Sequence, residues 1–302
     1  MTQVLGIVKN GQLIPEDLWI KFIANLENGF ENLETNNERA KREIASSIIE
    51  SVKKRIVPKF GILFSGGVDS SLIAFISKQL KCNFTCYTVG LENADDIDWA
   101  KKVALEYNFN FKYKILSLDE FEKVVQDVTK LLNDTDIVKV GVGSVLYSAA
   151  KLALSDSNNV LFGGLGSEEL FAGYQRHEAA LKNDNFEDLH KECWNGLKNM
   201  WKRDLTRDFT IAKHLGIDLR TPFLGKELIK TAMNVHPMLK ISKNDKKIIL
   251  REAAEFIGLK KEFAWRKKQA AQYGSNFVNG IDRLARKNGF KYKKDYLENL
   301  LK

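Results

Sequence analysis

Hydrophobic and polar positions change their arrangement twice along the chain. Up to about residue 37 there is no clear periodicity, and this part ends in the polar run ENLETNNERA. Apolar residues then recur at helical spacing from Ile44 to Val52, with basic residues in the last turn and Pro58 beyond them. This pattern predicts a helix that ends before the proline. We expect residues 1–40 to form an N-terminal extension that caps the body of the protein.

From about residue 56 to 170, short apolar runs alternate with helical patterns. The predicted strands are 60–64, 84–89, 111–116 and 158–164, and the predicted helices are 70–80, 98–107, 121–132 and 144–154. Near-continuous apolar strands separated by helices are typical of a parallel sheet with helices on both faces. After about residue 167 no strand is predicted. We expect one domain over 41–302, with an α/β core at about 56–170 and an all-α part at about 171–302.

Composition narrows the class of protein but does not identify its function. Among 302 residues, 44% are hydrophobic and 28% are charged, which is ordinary for a soluble globular protein. Three cysteines and four scattered histidines give neither a disulfide framework nor zinc-ligand spacing. No secretion signal or membrane-spanning run is visible, so we expect a cytoplasmic protein without a membrane partner. The net charge of +8 suits a nucleotide or RNA, but many enzymes carry as much.

Small and acidic residues lie where the first sheet strand passes into a helix. They are Ser65, Gly66, Gly67, Asp69 and Ser70. Ligands of open α/β sheets bind beyond the carboxyl ends of strands, and glycines let a backbone approach them closely. Exposed N–H groups at a helix N-terminus then form an anion site. A carboxylate inside such a site is explained by Mg²⁺ between it and a phosphate. The alternative is a tight turn with an N-capping aspartate, but the flanking strand and helix favour the phosphate site.

The motif S-G-G-x-D-S after a strand resembles the pyrophosphate loop of N-type ATP pyrophosphatases, which split ATP into AMP and pyrophosphate. Further stretches resemble the synthetase domain of asparagine synthetase and β-lactam synthetase; these are YTVGLENADDIDWAKKVA (87–104), VLFGGLGSEELFAGYQRH (160–177), IDLRTPFLGKELIKTAM (217–233) and KKIILREAAEFIGLKKEFAWRKKQAAQYGS (246–275). The resemblance covers roughly residues 40–280. It implies an adenine-nucleotide α-hydrolase-like fold that uses ATP and Mg²⁺.

The same resemblance implies which residues contact the nucleotide and its metal. Val89 and Gly90 would line the adenine, and Gly164 would contact the nucleotide from the second glycine-rich loop. Asp69 and Glu168 would together hold Mg²⁺ on the phosphates. The alternative for Glu168 is a first-turn acid that stabilises a helix N-terminus.

Basic residues near the C-terminus also match family positions. Lys268 matches a lysine that neutralises charge on the reacting phosphates in the family. Lys247 and Arg251 are four residues apart, so they would share a helix face and could clamp pyrophosphate. The alternative for each of these three side chains is a solvated surface charge. Asp218 matches an acidic residue that assists proton transfer in some relatives, although a surface or capping role is the equal alternative.

The resemblance breaks at the acceptor side. Leu165 stands where relatives place a catalytic glutamate or tyrosine, and leucine cannot transfer a proton. Gly163, Ala172 and Gly225 also depart from the family pattern. Either the acceptor is not aspartate or another group, such as Asp218 or Lys268, handles the proton.

The expected activity is that of an AMP-forming ligase that adenylates a small carboxylate and joins it to ammonia or an amine. Only about 50 residues precede the predicted ATP domain, too few for the glutaminase domain of glutamine-dependent relatives. Free ammonia, a separate amidotransferase subunit or a different amine are the options for the nitrogen donor. The alternatives are a tRNA-modifying enzyme, since the C-terminal tail is basic with aromatic residues, and a non-catalytic ATP-binding subunit. A homodimer is one option for its assembly.

Overall fold

The computed structural model describes residues 7–9, 12–28, 33–181, 185–267 and 269–302. The strands are β1 Val8–Lys9, β2 Gln12–Leu13, β3 Phe60–Leu63, β4 Phe84–Gly90, β5 Phe111–Ile115, β6 Val160–Phe162 and β7 Asp218–Arg220. The α-helices are α1 Glu16–Glu27, α2 Asn37–Lys53, α3 Val68–Gln79, α4 Asp95–Tyr107, α5 Leu118–Leu132, α6 Ile137–Ser155, α7 Ser167–Leu170, α8 Gln175–Ala180, α9 Phe186–Met200, α10 Thr206–Leu215, α11 Lys226–Asn234, α12 Ile248–Ile257, α13 Lys261–Ala264, α14 Ala271–Gly274, α15 Phe277–Lys287 and α16 Lys293–Asn299. A π-helix, Trp201–Leu205, joins α9 to α10, and 3-10 turns span Pro222–Leu224 and Pro237–Leu239.

The central sheet is parallel and has the order β5-β4-β3-β6-β7. Strands β4 and β3 are buried along nearly their whole length, as expected for a sheet covered by helices on both faces. From β3 the chain adds β4 and β5 on one side, and later adds β6 and β7 on the other. The order therefore reverses between β3 and β6, which is where open α/β sheets bind their ligands. The predicted α/β class and parallel sheet are confirmed.

The prediction that strands stop near residue 167 was wrong. Strand β7 pairs with β6, with Val160 opposite Asp218 and Phe162 opposite Arg220. The strand has only three residues, Asp218–Arg220, and two of them are charged. A segment this short and charged has no hydrophobic pattern that would predict a strand. Its strand conformation comes from pairing with β6. One strand of the sheet thus lies within the part that we expected to be all helical.

The N-terminal residues are integrated into the helical part. The apolar side of α1 carries Trp19, Ile23 and Leu26, all buried, at helical spacing that the sequence analysis did not use. The indole Nε1 of Trp19 donates a hydrogen bond to the carbonyl of Leu197 at 2.8 Å. Helix α2 packs along α12 and α11. The described part of residues 1–40 therefore contributes to the core.

Helix α6 forms the wall of the cleft described below. It begins at Ile137, before the predicted 144, because the Asp136 side chain accepts a hydrogen bond from the backbone N–H of Lys139 at 2.8 Å. Among the described residues, α6 alone has the length and apolar composition that could cross a membrane. Of its most apolar stretch, 56% is buried inside the protein, as is also found for helices in protein cores. Length and composition are therefore weak evidence that this helix spans a membrane.

Candidate active site

A cleft of about 580 Å³ opens where the carboxyl ends of β3, β6 and β7 meet. Each strand delivers one segment to it: Ser65 follows β3, Gly164 follows β6 and Thr221 follows β7. The apolar wall opposite these loops comes from α6 and includes Val142 and Leu146. The sheet topology thus brings together three loops, at residues 65, 164 and 221, that are far apart in the chain.

The loop after β3 has the geometry of an anion site. Gly66 has a φ of 69°, and a Cβ there would lie 2.9 Å from backbone of α4, so no other residue fits without strain. The Ser70 hydroxyl supports the loop, because it accepts from the N–H of Ser65 and donates to the carbonyl of Gly67, both at 3.3 Å. Helix α3 begins at Val68 with no side-chain cap on its first N–H groups. Those groups and the helix dipole favour an anion.

The loop after β6 approaches the first loop closely. A Cβ on Gly164 would lie 2.9 Å from the Cβ of Asp69, so this glycine sets the distance between the loops. Gly166 has a φ of 99°, and the short helix α7 begins after it. This turn points Glu168 towards Asp69 across the cleft.

Asp69 and Glu168 converge on one atom, the ammonium nitrogen of Lys247. Lys247 Nζ lies 3.0 and 2.8 Å from the two carboxylate oxygens of Asp69, and 2.5 Å from Oε1 of Glu168. The same nitrogen lies 2.9 Å from Oγ of Ser167. The structure therefore brings together the two acids that the sequence analysis paired, with a basic side chain between them.

The two carboxylates suit a magnesium ion that arrives with its ligand. Within the described ranges, no group of three or more His, Cys, Asp or Glu side chains could hold a metal ion. Mg²⁺ commonly binds through one or two carboxylates and completes its octahedron with waters and substrate phosphates. Asp69 and Glu168 beside the uncapped N-terminus of α3 provide such a partial set.

Lys247 and Arg251 both line the cleft, and their role as a clamp for pyrophosphate stays a prediction. Lys247 is the residue before α12 and has a left-handed φ of 58°, so it lies outside the helix that carries Arg251. Arg251 lines the cleft but spends its Nη1 donors on the carbonyls of Ala264 and Arg266, at 2.6 and 3.0 Å. Its geometry is that of an anchor for the segment after α13.

That segment contacts the end of the cleft that contains Ser65, Asp69 and Glu168, which we name the nucleotide end after the ligand that the sequence predicts there. The guanidinium of Arg266 donates to the carbonyl of Ser65 at 2.5 Å and to Asp96 at 2.7 Å. Val89 lines the cleft as predicted, whereas Gly90 is not among its lining residues. A Cβ on Gly90 would lie 2.4 Å from the Cβ of Ala94, so Gly90 permits the tight turn after β4. Lys268 lies outside the described residues, and its role stays a prediction.

The other end of the cleft carries a cluster that the sequence analysis missed. The π-helix and α10 present Arg203, Asp204, Arg207 and Asp208 to the cavity that Leu165 also lines. Arg207 bonds Asp208 at 2.7 Å and Asp204 at 3.2 Å, and Arg203 bonds Asp204 at 2.6 Å. The motif R-D-L-T-R-D, with two Arg-Asp pairs four residues apart, was the available signal. π-Helical turns occur frequently at functional sites.

We call these four side chains the acceptor-end cluster, because the resemblance places the acceptor near Leu165. A buried acid, Glu169, lies next to this cluster. Burial raises the pKa of Glu169 to about 7, and the charge of Asp204 adds to the effect. Its Oε1 nevertheless accepts hydrogen bonds from Arg203 and Arg176. The Arg176 guanidinium also stacks 4.1 Å from the ring centre of Tyr174, at the cleft wall. These contacts hold the arginines in fixed positions.

Asp218 is not brought to the cleft. It is the first residue of β7, and in a parallel sheet that places it at the edge opposite the carboxyl ends. Its carboxylate pairs with Arg220 at 2.8 Å and borders a neighbouring cavity of about 470 Å³. The geometry gives no support to the predicted role of Asp218 in proton transfer.

Comparison with known sequences assigns the family. The sequence profile described as asparagine synthase matches residues 43–189 and 183–291, which is most of the chain. The chain belongs to the asparagine synthase family. The cleft is lined by residues of the S-G-G-x-D-S loop, which is one of the motifs through which the sequence resembles this family.

Relatives within this family are moderately similar. "Putative asparagine synthetase (glutamine-hydrolyzing) 1" of Methanocaldococcus jannaschii is 34% identical over 306 residues, covering 88% of this chain and 56% of that protein. The asparagine synthetase (glutamine-hydrolyzing) of Gallus gallus is 31% identical over 288 residues, covering 91% of this chain and 48% of that protein. The chain spans about half the length of the curated relatives that it matches.

Solved structures give a more distant similarity. An NMN synthetase from Francisella tularensis superimposes with a TM-score of 0.42 at 11% identity, over 88% of this chain and 94% of that chain. This overlap is too distant to bear on function.

Proposed function

We propose that this chain is an ATP-dependent, AMP-forming ligase that adenylates a small carboxylic acid and forms an amide with ammonia or an amine. One observation carries the proposal: the loops after β3 and β6 bring Asp69 and Glu168 onto a common cation position beside an uncapped helix N-terminus. Membership of the asparagine synthase family supports the same reaction class.

The nucleotide end would bind ATP through its phosphates. The N–H groups at the start of α3, with the hydroxyl of Ser65, would bind the β- and γ-phosphates as an anion. Asp69 and Glu168 would hold Mg²⁺, which neutralises phosphate charge when bound. Val89 and Gly164 would flank the adenine and ribose. Lys268 remains our candidate for stabilising charge on the reacting phosphate.

The acceptor would lie beyond Leu165, against the acceptor-end cluster. A carboxylate oxygen of the acceptor attacks the α-phosphorus of ATP, the bond to the β-phosphate oxygen breaks, and pyrophosphate leaves. The amine nitrogen then attacks the acyl carbon, and AMP leaves with the oxygen that the acceptor had contributed. Arg207 would orient the acceptor, because an arginine fork matches a carboxylate. Asp208, whose pKa burial raises, would accept the proton that the attacking nitrogen loses.

The alternative of a non-catalytic subunit rests on Leu165 alone. The cluster provides carboxylates on another wall of the same cleft, so a proton acceptor does not require position 165. The tRNA-modifying alternative rested on the basic tail. There, Lys287 binds Asp119 and Glu122 at 2.7 and 2.8 Å, so this cation of the tail is engaged within the protein. We therefore favour the ligase.

The nitrogen donor and the assembly are part of the proposal. Ammonia is the simplest donor, and a separate amidotransferase subunit could supply it. Both the cytoplasmic location and a homodimer stay predictions.

The test is exchange of labelled pyrophosphate into ATP, which reports acyl-adenylate formation without the amine. We expect exchange that depends on an added acid when aspartate and a panel of small carboxylic acids are offered. Exchange with aspartate would identify aspartate as an acid that is adenylated although Leu165 stands at this position. Tight ATP binding without exchange for any acid would instead favour the non-catalytic subunit.

A further inference from the structure

Lys247 occupies the point where the two acids of the nucleotide end converge. Its Nζ lies within hydrogen-bond distance of Asp69, Glu168 and Ser167 at once. Its side chain is only 2% exposed, while those of Asp69 and Glu168 are 21% and 13% exposed. A buried ammonium held by two carboxylates is a cation in the position where a metal would bind.

The charges explain why the lysine is stable there. Two carboxylates near one another raise each other's energy, and a cation between them removes that repulsion. An ammonium group has three N–H donors and no acceptor, and Nζ of Lys247 lies within hydrogen-bond distance of Asp69, Glu168 and Ser167. These three partners match its three donors, so the lysine fits this position as a cation.

The backbone around Lys247 is built for this position. Its φ of 58° is left-handed, a conformation that costs a lysine free energy unless contacts compensate for it. Gly173 supplies the room, because a Cβ there would lie 2.6 Å from Cε of Lys247 and 1.8 Å from Oε2 of Glu168. Any larger residue at 173 would displace both side chains. The side chains of Lys247 and Glu168 thus occupy space that is free only because residue 173 is glycine.

We propose that Lys247 is a resident counter-cation that holds Asp69 and Glu168 in register and keeps free magnesium out until the nucleotide arrives. The inference rests on the proposed function, because it is the phosphates of ATP that would draw the ammonium away from the carboxylates. Once a phosphate had accepted Lys247, Asp69 and Glu168 would be free to hold the metal that accompanies the nucleotide. These two acids would therefore hold Mg²⁺ only in the presence of ATP.

The test is a titration of the full chain with Mn²⁺ in the absence of nucleotide. The concentration of free Mn²⁺ is measured from its electron paramagnetic resonance signal. We expect Lys247→Met to bind one Mn²⁺ at least about tenfold more tightly than the wild type, because two uncompensated carboxylates attract a divalent cation. Lys246→Met is the matched control, since Lys246 pairs with Glu178 outside this cluster at 2.8 Å. The control should bind Mn²⁺ as the wild type does.

A double variant and a second readout complete the test. Lys247→Met combined with Glu168→Gln should lose the gained Mn²⁺ site. If Lys247→Met alone does not fold, Mn²⁺ should restore its folding, measured as a metal-dependent rise in Tm; failure to do so contradicts the proposal. Equal Mn²⁺ affinity in wild type and Lys247→Met also overturns it.

The two proposals fail in different ways. Adding α,β-methylene-ATP, which cannot be cleaved to AMP, should increase Mn²⁺ binding by the wild type. If the wild type binds Mn²⁺ tightly without nucleotide yet supports pyrophosphate exchange, the counter-cation is wrong and the ligase stands. If the analogue has no effect and no acid supports exchange, the ligase is wrong, whatever Lys247→Met does.

Discussion

The two ends of the cleft are built differently. At the nucleotide end, backbone geometry dominates: a left-handed Gly66, a helix start without a side-chain cap and a close approach at Gly164. At the acceptor end, side chains dominate: two Arg-Asp pairs on a π-helical turn and α10. Backbone donors recognise any phosphate, whereas a fixed set of side-chain charges recognises one arrangement of groups on a ligand.

This difference explains where the sequence departs from its family. The S-G-G-x-D-S loop at the nucleotide end keeps the pattern of the family, whereas Leu165 stands where the resemblance places a proton-transfer residue. An altered residue in a site made of side chains changes the ligand that fits, while a site made of backbone N–H groups is unaffected. We infer that acceptor chemistry can change while ATP use is retained.

The largest effect is expected at the nucleotide end. Asp69→Asn should lower pyrophosphate exchange at least about 100-fold, because a neutral amide replaces the carboxylate that faces the metal and the phosphates. Tm and far-UV circular dichroism should show a folded protein. Asp98→Asn, on the exposed side of α4, is the control and should keep full activity. Exchange above half the wild-type rate in Asp69→Asn would remove the metal assignment.

At the acceptor end, Asp208→Asn should separate the two ends kinetically. Asp208 accepts a hydrogen bond at 2.7 Å from Nε of Arg207, the side chain that we propose orients the acceptor. Loss of this charged hydrogen bond is worth about 1.5–3 kcal/mol, so the KM for the acceptor should rise roughly 10- to 100-fold. The KM for ATP should stay unchanged. Asp188→Asn, with its side chain 57% exposed at the start of α9, serves as control. If the KM for ATP rises as much as the KM for the acceptor, the two ends of the cleft do not bind separate ligands, which contradicts this prediction.

Leu165 tests whether the acceptor end is altered or merely damaged. Leu165→Met preserves volume and apolarity and should leave exchange within about threefold of wild type. Leu165→Glu adds a carboxylate near Asp69 and Glu168 and should reduce exchange about tenfold through like-charge repulsion. Exchange with aspartate that instead increases in Leu165→Glu would mean that the acceptor end is an impaired asparagine-forming site.

The buried acid behind the cluster predicts a pH dependence of stability. The pKa of Glu169 is raised to about 7 in the folded protein, so between its ordinary value of 4.5 and 7 the folded state holds more protons than the unfolded state. Its contribution to stability is therefore fully present below pH 4.5 and is lost as the pH rises to 7, by up to about 3 kcal/mol. Glu169→Gln should gain in Tm over wild type as pH rises from 5 to 7.5. A constant difference in Tm would contradict this.

The smallest effect is expected at Asp218, outside the cleft. Asp218→Asn breaks a half-exposed ion pair with Arg220 and should cost at most about 1 kcal/mol of unfolding free energy. Pyrophosphate exchange should stay within about twofold of wild type. A large loss of exchange with an unchanged Tm would restore the proton-transfer role that the fold does not support.

Much of the fold could be predicted because it depends on local patterns. The strand Phe84–Gly90 is rich in aromatic and β-branched residues and is buried at every position, and α5 has a regular apolar face. The strand Asp218–Arg220 could not be predicted, since its pairing with β6 comes from tertiary contacts. The acceptor-end cluster was missed for the same reason. In the sequence, Arg203 and Asp208 have the pattern of surface charges, and only the packing of the π-helix and α10 brings them to the cleft.

The sequence by itself determined the alternation of strands and helices and the glycines of the loop after β3, which follow from the local hydrophobic period and from short-range backbone geometry. The pairing of Asp69 with Glu168 is implied by the resemblance of their two motifs to the family. Only the tertiary structure decided that Lys247 lies between those acids, that Arg251 anchors a loop and that Asp218 faces away. Side chains far apart in the chain meet according to sheet order and helix packing, and a one-dimensional pattern does not encode which neighbour each charge will find.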